Sequence, residues 1–202
     1  MNIYCIYFNI IPYKNQSLSP LYDKYLLCYN QYGDYMLINF FRKFARLLKI
    51  KKVTIKQFEE TPFKPFVKKQ LLQKMQDGVF EVYHIKFLWK NIAQVFIFYN
   101  LEEKSLADGE NVCYVSNIYV TRIFRGLGLC SRCIEKVKSV ARDKGFSIMI
   151  LGVMEDNINA IRLYKKLGFV ETGEKYAYDA IIIDKNGNKI PQKEYMLMRC
   201  EL

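Results

Sequence analysis

The chain has 202 residues, of which 51% are hydrophobic and 25% are charged. This composition is typical of a globular protein and excludes a chain that is disordered throughout. The 31 basic and 20 acidic residues give a net charge of +11, which suits an acidic partner such as nucleic acid, an anionic membrane or a phosphorylated cofactor. No apolar run reaches the roughly 20 residues of a spanning helix. No secretory signal is visible and six cysteines are scattered through the chain, so we expect a reducing, cytoplasmic location.

Residues 1–51 differ from the rest in composition. They contain eight tyrosines, with seven basic and two acidic residues, and we predict that they form an extension packed on a domain at 52–202. Within them the pattern predicts a strand at 2–11 and an amphipathic helix at 35–48. The basic face of that helix has two interpretations: a contact for membrane or nucleic acid, or the solvated side of a core-facing helix. We favour the second.

Hydrophobic periodicity and glycine positions predict the remaining elements. The predicted strands are 53–58, the hairpin 79–87 with 91–99, 112–120, 146–153, and a pair at 169–184 and 195–202 around the turn 186–188. Three helices are predicted: one that begins at Pro65 and ends near Gly78, one at 129–144 and one at 157–167. This mixed order indicates an α/β or α+β fold.

The most informative segment is the loop that joins the strand 112–120 to the helix 129–144. Unpaired amides and the positive end of the dipole make a helix start a phosphate site, and glycines allow close approach. A P-loop is excluded, because Leu129 and Cys130 follow Gly128 where lysine and serine or threonine are required. A dinucleotide fingerprint is disfavoured, because serine replaces its third glycine and no acidic residue lies about 20 positions later.

Two motifs, in the expected order, resemble those of the GCN5-related N-acetyltransferase (GNAT) family. The first is Arg125-x-x-Gly128-x-Cys130, which is similar to the family's acyl-CoA loop. The second runs from Asn157 through Tyr164 to Gly168-Phe169 and is similar to the family's Asn-x-x-Ala…Tyr-x-x-x-Gly-Phe segment. The resemblance covers residues 53–202. Cys130 departs from the family's usual small residue, and Thr121-Arg122 departs from its common x-Pro.

The resemblance implies a mixed α/β fold with a mostly antiparallel central sheet flanked by helices. It also implies one splayed parallel pair, 112–120 beside 146–153. Acetyl-CoA would be the acetyl donor, and no metal is expected. The implied cofactor-binding residues are Ile118, Tyr119, Val120, Arg125, Gly126, Leu127, Gly128, Leu129, Cys130, Ser131, Asn157 and Tyr164. Further bases that could meet the phosphates are Arg122, Arg132, Lys165 and Lys166.

The resemblance also implies catalytic roles. The Val120 amide would stabilise the thioester oxygen, and Tyr164 would protonate the departing thiolate. Ser116 stands where many family members have a glutamate base, so Glu81 or His84 could instead hold a water that accepts the proton. Tyr176 and Tyr178 are candidates to line the acceptor site.

The implied activity is direct acetyl transfer to an amine, with a protein amine slightly favoured over a small molecule. An alternative is a catalytically inactive module that senses acyl-CoA or associates with nucleic acid. A homodimer is also possible. Cys130 and Cys133 could form a redox pair, although small packing residues are the preferred interpretation.

Overall fold

The computed structural model describes residues 35–177, 182–183, 189–190 and 194–202. In chain order the elements are α1 (Tyr35–Leu47), β1 (Ile50–Lys52), α2 (Ile55–Glu59), α3 (Pro65–Gln76), β2 (Phe80–Phe87), β3 (Lys90–Phe98), β4 (Val112–Val120), α4 (Leu129–Asp143), β5 (Ile148–Val153), α5 (Ile158–Lys166), β6 (Val170–Ala177), β7 (Ile182–Ile183), β8 (Lys189–Ile190) and β9 (Glu194–Glu201). No helix in this part of the chain is long and apolar enough to cross a bilayer.

Seven strands form one sheet in the order β1-β2-β3-β4-β5-β9-β6, and β7 pairs separately with β8. The pairings in the large sheet are antiparallel except for β4 with β5. The predicted mixed fold and its one parallel pair are therefore confirmed. The predicted turn at 186–188 lies outside the described residues.

Each face of the sheet is covered by helices. On one face, Cys133, Ile134 and Val137 of α4 pack against Val115 and Leu151 of the two parallel strands. The other face is dominated by phenylalanines of α2, β2 and β3: Phe58, Phe80, Phe96 and Phe98. Aromatic residues make up 15% of the sequence, and these phenylalanines show that some of them form the core. Tyr176 packs against this second cluster, and Tyr178 lies outside the described residues.

The predicted helices and hairpin are confirmed to within a few residues. Pro65 opens α3, where its missing amide costs nothing. Gly145 and Gly168 follow α4 and α5 with φ of 90° and 83°, a left-handed conformation that ends a helix cheaply only at glycine.

The predicted strand at 53–58 is wrong. Thr54 Oγ1 accepts a hydrogen bond from the Gln57 amide at 3.3 Å, and Gln57 Oε1 accepts one from the Thr54 amide at 3.1 Å. This reciprocal capping box begins α2 and overrides the β propensity of the flanking residues. The strand lies earlier, at Ile50–Lys52.

The helix predicted at 35–48 is confirmed as α1, and its core-facing interpretation holds for part of its surface. Ala45 is 1% exposed and Leu48 packs against the core. Two other apolar residues of the helix, Phe41 and Leu47, are exposed. The strand β1 crosses the predicted domain boundary at 51/52, and residues 1–34, including the predicted strand 2–11, lie outside the described residues.

Candidate active site

The two parallel strands pair along only part of their length. Val112 to Val115 of β4 pair with Ile148 to Leu151 of β5. Gly152 and Val153 pair with β9 but not with β4. Beyond Val115, β4 continues to Val120 without pairing with β5. The sheet therefore opens between β4 and β5, as the resemblance implied.

A bulge in β4 lies at the start of this opening. Asn117 has φ of 46°, and the β3–β4 register shifts opposite it; asparagine tolerates this conformation better than most residues. Ser116 Oγ and Asn117 Nδ2 are buried, with no hydrogen-bond partner among the described residues. Such atoms call for a ligand or water. Sequence reasoning missed Asn117, although a Ser-Asn pair within an apolar strand was a usable signal.

The peptide groups after the bulge have defined directions. The Thr121 amide donates to the Ile92 carbonyl of β3 at 2.8 Å. Because successive peptides alternate along a strand, the amides of Val120 and Ile118 point away from β3, toward the opening, whereas that of Tyr119 points back. The Arg125 Nε donates to the Val120 carbonyl at 3.1 Å, which braces the end of the strand against the loop.

The loop places glycine backbone at the start of α4. A short 3-10 turn at Arg122–Phe124 leads to Gly126 and Gly128, whose φ values are 76° and 80°. A Cβ added at either glycine would meet no atom within 4 Å, so the approach to the backbone is open.

The first amides of α4 are available as donors. The helix has no side-chain cap. The Arg132 amide bonds to the Gly128 carbonyl at 3.1 Å, and the three amides before it, those of Leu129, Cys130 and Ser131, have no carbonyl in the preceding turn to accept them. The predicted residues Arg125, Gly126, Leu127 and Gly128 thus lead directly into a site suited to an anion.

Tyr164 lies close to this helix start. Its side chain is 7% exposed, and its ring lies 6.0 Å from that of Phe169. Burial, with a contribution from nearby Cys130, holds the pKa of the phenol well above its usual value. The phenol is therefore protonated at neutral pH. Asn157 caps α5 by accepting from the Ala160 amide at 3.3 Å, which leaves its side-chain nitrogen as a donor.

The thiols at the start of α4 are not activated. Burial raises the pKa of Cys130 to about 11 and, together with Cys130, that of Cys133 to about 12. A redox pair needs a lowered pKa, so the packing interpretation is the better one. Within the described residues, no group of three or more His, Cys, Asp or Glu is placed to hold a metal.

Two of the candidate phosphate ligands bind elsewhere in the structure. The Arg132 guanidinium donates to the Leu48 carbonyl at 2.5 Å and also to the Ala45 carbonyl, and so ties α4 to the end of α1. Lys165 pairs with Glu171 at 2.7 Å. Arg122 and Lys166 are exposed.

The structure does not bring Glu81 to the opening. Its carboxylate accepts from Lys52 Nζ at 2.6 Å and from Tyr83 Oη and Tyr99 Oη at 2.7 and 2.9 Å, and Lys144 Nζ is 3.4 Å away. Burial alone would raise the pKa of this carboxyl, but these donors and the nearby lysine charge lower it. The register places Glu81 level with Val115, about 13 Å along the sheet from the level of Val120.

His84 lies nearer to the opening than Glu81. It pairs with Gln94, which pairs with Tyr119, so two strand spacings, about 10 Å, separate it from β4. Burial lowers the pKa of the imidazole, and the charges of Lys86 and Lys51 lower it further. His84 is therefore neutral near pH 7 and able to accept a proton.

The sequence model of the acetyltransferase (GNAT) family matches residues 71–169. This range contains the opening, the glycine turn, α4 and α5. The chain carries a GNAT domain. The thialysine N-epsilon-acetyltransferases of Bos taurus and Mus musculus are 47% and 45% identical to it over 60 residues, which are 30% of this chain. The match spans about a third (35%) of the length of these relatives.

Solved structures show the same fold as this GNAT domain. A GNAT family acetyltransferase from Elizabethkingia anophelis with acetyl-CoA bound superposes with a TM-score of 0.54 at 19% identity, covering 77% of this chain and 98% of that one. A ribosomal-protein-alanine N-acetyltransferase from Brucella melitensis gives a TM-score of 0.57 at 18% identity, covering 77% and 100%.

Proposed function

We propose that this chain is an acetyl-CoA-dependent N-acetyltransferase that passes the acetyl group directly to an aliphatic amine. The observation that carries this proposal is the opening between β4 and β5 beside the uncapped, glycine-led start of α4. Two comparisons support it: the curated relatives are named N-acetyltransferases, and one structural neighbour is described with acetyl-CoA bound.

The residues present fit acetyl-CoA. The amides of Leu129, Cys130 and Ser131 would bind the diphosphate, with space over Gly126 and Gly128 for its approach. The open edge of β4 at Ile118 and Val120 would pair with the amide-containing arm as an added strand, and the Asn157 side-chain nitrogen would donate to it. Bound acetyl-CoA supplies an acetyl group activated as a thioester.

Two groups of the chain act on that acetyl group. The Val120 amide, which points into the opening, stabilises the negative charge that develops on the carbonyl oxygen. The Tyr164 phenol gives its proton to the departing sulfur. Its raised pKa keeps the phenol protonated over the whole range in which an amine acceptor is assayed.

The attacking amine must first lose a proton, because a lysine-type amine has a pKa of about 10.4. The Glu81 carboxylate is bound by four partners and lies away from the opening, so it does not take this proton. We assign the step to His84 acting through a bound water. The imidazole is neutral at assay pH, and the water would connect it to the amine across the face of β3, which lies between β2 and β4.

The acceptor is most simply a lysine-type side-chain amine. The names of the bovine and mouse relatives specify the ε-amine of thialysine, which supports an unbranched primary amine over an α-amine. From the sequence, a protein amine is slightly favoured, whereas the relatives' names describe a free amino acid as the acceptor. The test therefore includes both free amines and lysine-containing peptides.

The purified full chain should be mixed with acetyl-CoA and with thialysine, free lysine, lysine-containing peptides or polyamines. We expect release of free thiol and a mass increase of one acetyl group on a lysine-type amine. Tyr164→Phe serves as a control that keeps the fold but loses the acid. If acetyl-CoA binds with no turnover on any amine, the chain is an inactive acyl-CoA-binding module and the proposed activity is wrong.

A further inference from the structure

A group of large apolar side chains is exposed at one end of the sheet. Leu88 and Trp89, at the turn between β2 and β3, are 69% and 77% exposed, and Leu47 at the end of α1 is 77% exposed. The rings of Phe44 and Phe87 meet edge to face at 5.6 Å, which holds α1 against the hairpin. We call Leu47, Leu88 and Trp89 the tip patch.

The fold does not require these residues at the turn. Leu88 has φ of 55°, a conformation that asparagine or glycine adopts with less strain in a two-residue hairpin turn. A leucine there costs conformational energy and buries little of its side chain. Exposed large apolar residues grouped at such a strained position indicate a surface that meets a partner.

Positive charge surrounds the tip patch. Exposed bases on α1 and just after it are Arg42, Lys43, Arg46 and Lys49, and the hairpin turn is flanked by exposed Lys86 and Lys90. Residues 35–58 contain no aspartate or glutamate. The patch therefore combines an apolar centre with a cationic rim.

We propose that the tip patch and its basic rim form a docking surface for an anionic lipid bilayer. Apolar side chains enter the boundary between headgroups and acyl chains, while lysine and arginine bind the anionic headgroups. Tryptophan favours that boundary. Nucleic acid fits less well, because Leu47 and Leu88 have no ring on which a base can stack.

The surface adjoins the proposed cofactor loop without being part of it. The ring of Phe87 lies 5.7 Å from that of Phe124, in the turn that precedes the glycines. Docking would therefore bring the loop side of the domain to the bilayer. The proposal does not depend on acetyl transfer, since vesicle binding needs neither acetyl-CoA nor an acceptor.

The test is sedimentation of the full chain with vesicles of phosphatidylcholine alone or mixed with phosphatidylserine. We expect binding to the mixed vesicles, little binding to phosphatidylcholine, and weaker binding as salt is raised. Leu88→Asn combined with Trp89→Ser should reduce the affinity at least about tenfold. Its matched control is Val170→Ser, which removes a 63% exposed apolar side chain from β6, the far edge of the sheet.

The basic rim has its own pair of variants. Arg42→Glu with Arg46→Glu should reduce the affinity at least about thirtyfold, because each base near an anionic surface contributes about fivefold. Lys64→Glu with Lys69→Glu makes the same charge change on two exposed bases, one just before α3 and one within it, and should have a smaller effect. Thermal melting of each variant checks the fold, and Leu88→Asn suits the positive φ.

Three results would overturn the proposal. One is no binding to the mixed vesicles, and another is equal loss in the tip-patch variant and its control. The third comes from an oligonucleotide titration: if the chain binds nucleic acid through the α1 bases and does not bind vesicles, the surface recognises nucleic acid instead.

Discussion

Removal of the Arg132 guanidinium should loosen α1 without weakening the binding of acetyl-CoA. This side chain donates to the carbonyls of Ala45 and Leu48 at the end of α1. A hydrogen bond from a charged group contributes about 1.5–3 kcal/mol, and partial exposure puts these two at the low end. Arg132→Met should therefore lower the free energy of unfolding by about 2–3 kcal/mol and the Tm by about 4–12 °C.

The assay pairs denaturation with calorimetry. Denaturant curves for the wild type, Arg132→Met and the control Arg142→Met, which removes an exposed arginine from the last turn of α4, give the stability change. Titration of acetyl-CoA well below the Tm gives the affinity. If Arg132→Met keeps its stability and loses affinity, the side chain binds phosphate, and its structural role is refuted.

Three further predictions concern the other polar groups. Tyr164→Phe should lower kcat about a hundredfold with the Kd of acetyl-CoA unchanged in calorimetry; an unchanged kcat would remove the phenol from the mechanism. Glu81→Gln should destabilise the fold by about 1–3 kcal/mol in denaturant titration, because four donors lose the carboxylate charge, whereas a loss of kcat at equal stability would return Glu81 to catalysis. The wild type should lose stability as pH falls from about 7 to about 5, since the folded chain keeps His84 neutral while the unfolded chain takes up a proton near 6.5. That part of the slope should vanish in His84→Asn, and identical slopes would contradict the lowered pKa.

The fold was largely predictable because its elements are marked by local signals. Glycines at 145 and 168 end their helices, Pro65 begins one, and the apolar period changes from two to three or four where strands give way to helices. The failure at 53–58 has a physical cause. The β-branched residues at 53–55 are typical of a strand, but they also lie at a capping box, which is typical of a helix start. The hydrogen bonds between Thr54 and Gln57 stabilise the helix.

The candidate site was predictable in its backbone and less so in its side chains. The glycine turn is marked by its own residues, and the opening between β4 and β5 was implied by the resemblance to the GNAT family. The contacts of Arg132 with residues 84 and 87 positions earlier and the four partners of Glu81 depend on tertiary packing that spacing does not reveal. The bulge at Asn117 was only partly predictable. Asparagine is a residue type that tolerates positive φ, but the sequence does not show that this asparagine adopts it.

The proposed activity depends on the binding of a diphosphate by the amides at the start of α4. Calorimetric titration of the full chain with acetyl-CoA and, separately, with S-acetylpantetheine, which has the thioester arm but no diphosphate, tests this most directly. We expect clear binding of acetyl-CoA and a loss of at least about a hundredfold in affinity for the truncated compound, since charge-assisted bonds from several amides are removed. No heat with acetyl-CoA, or equal affinity for the two compounds, would contradict it.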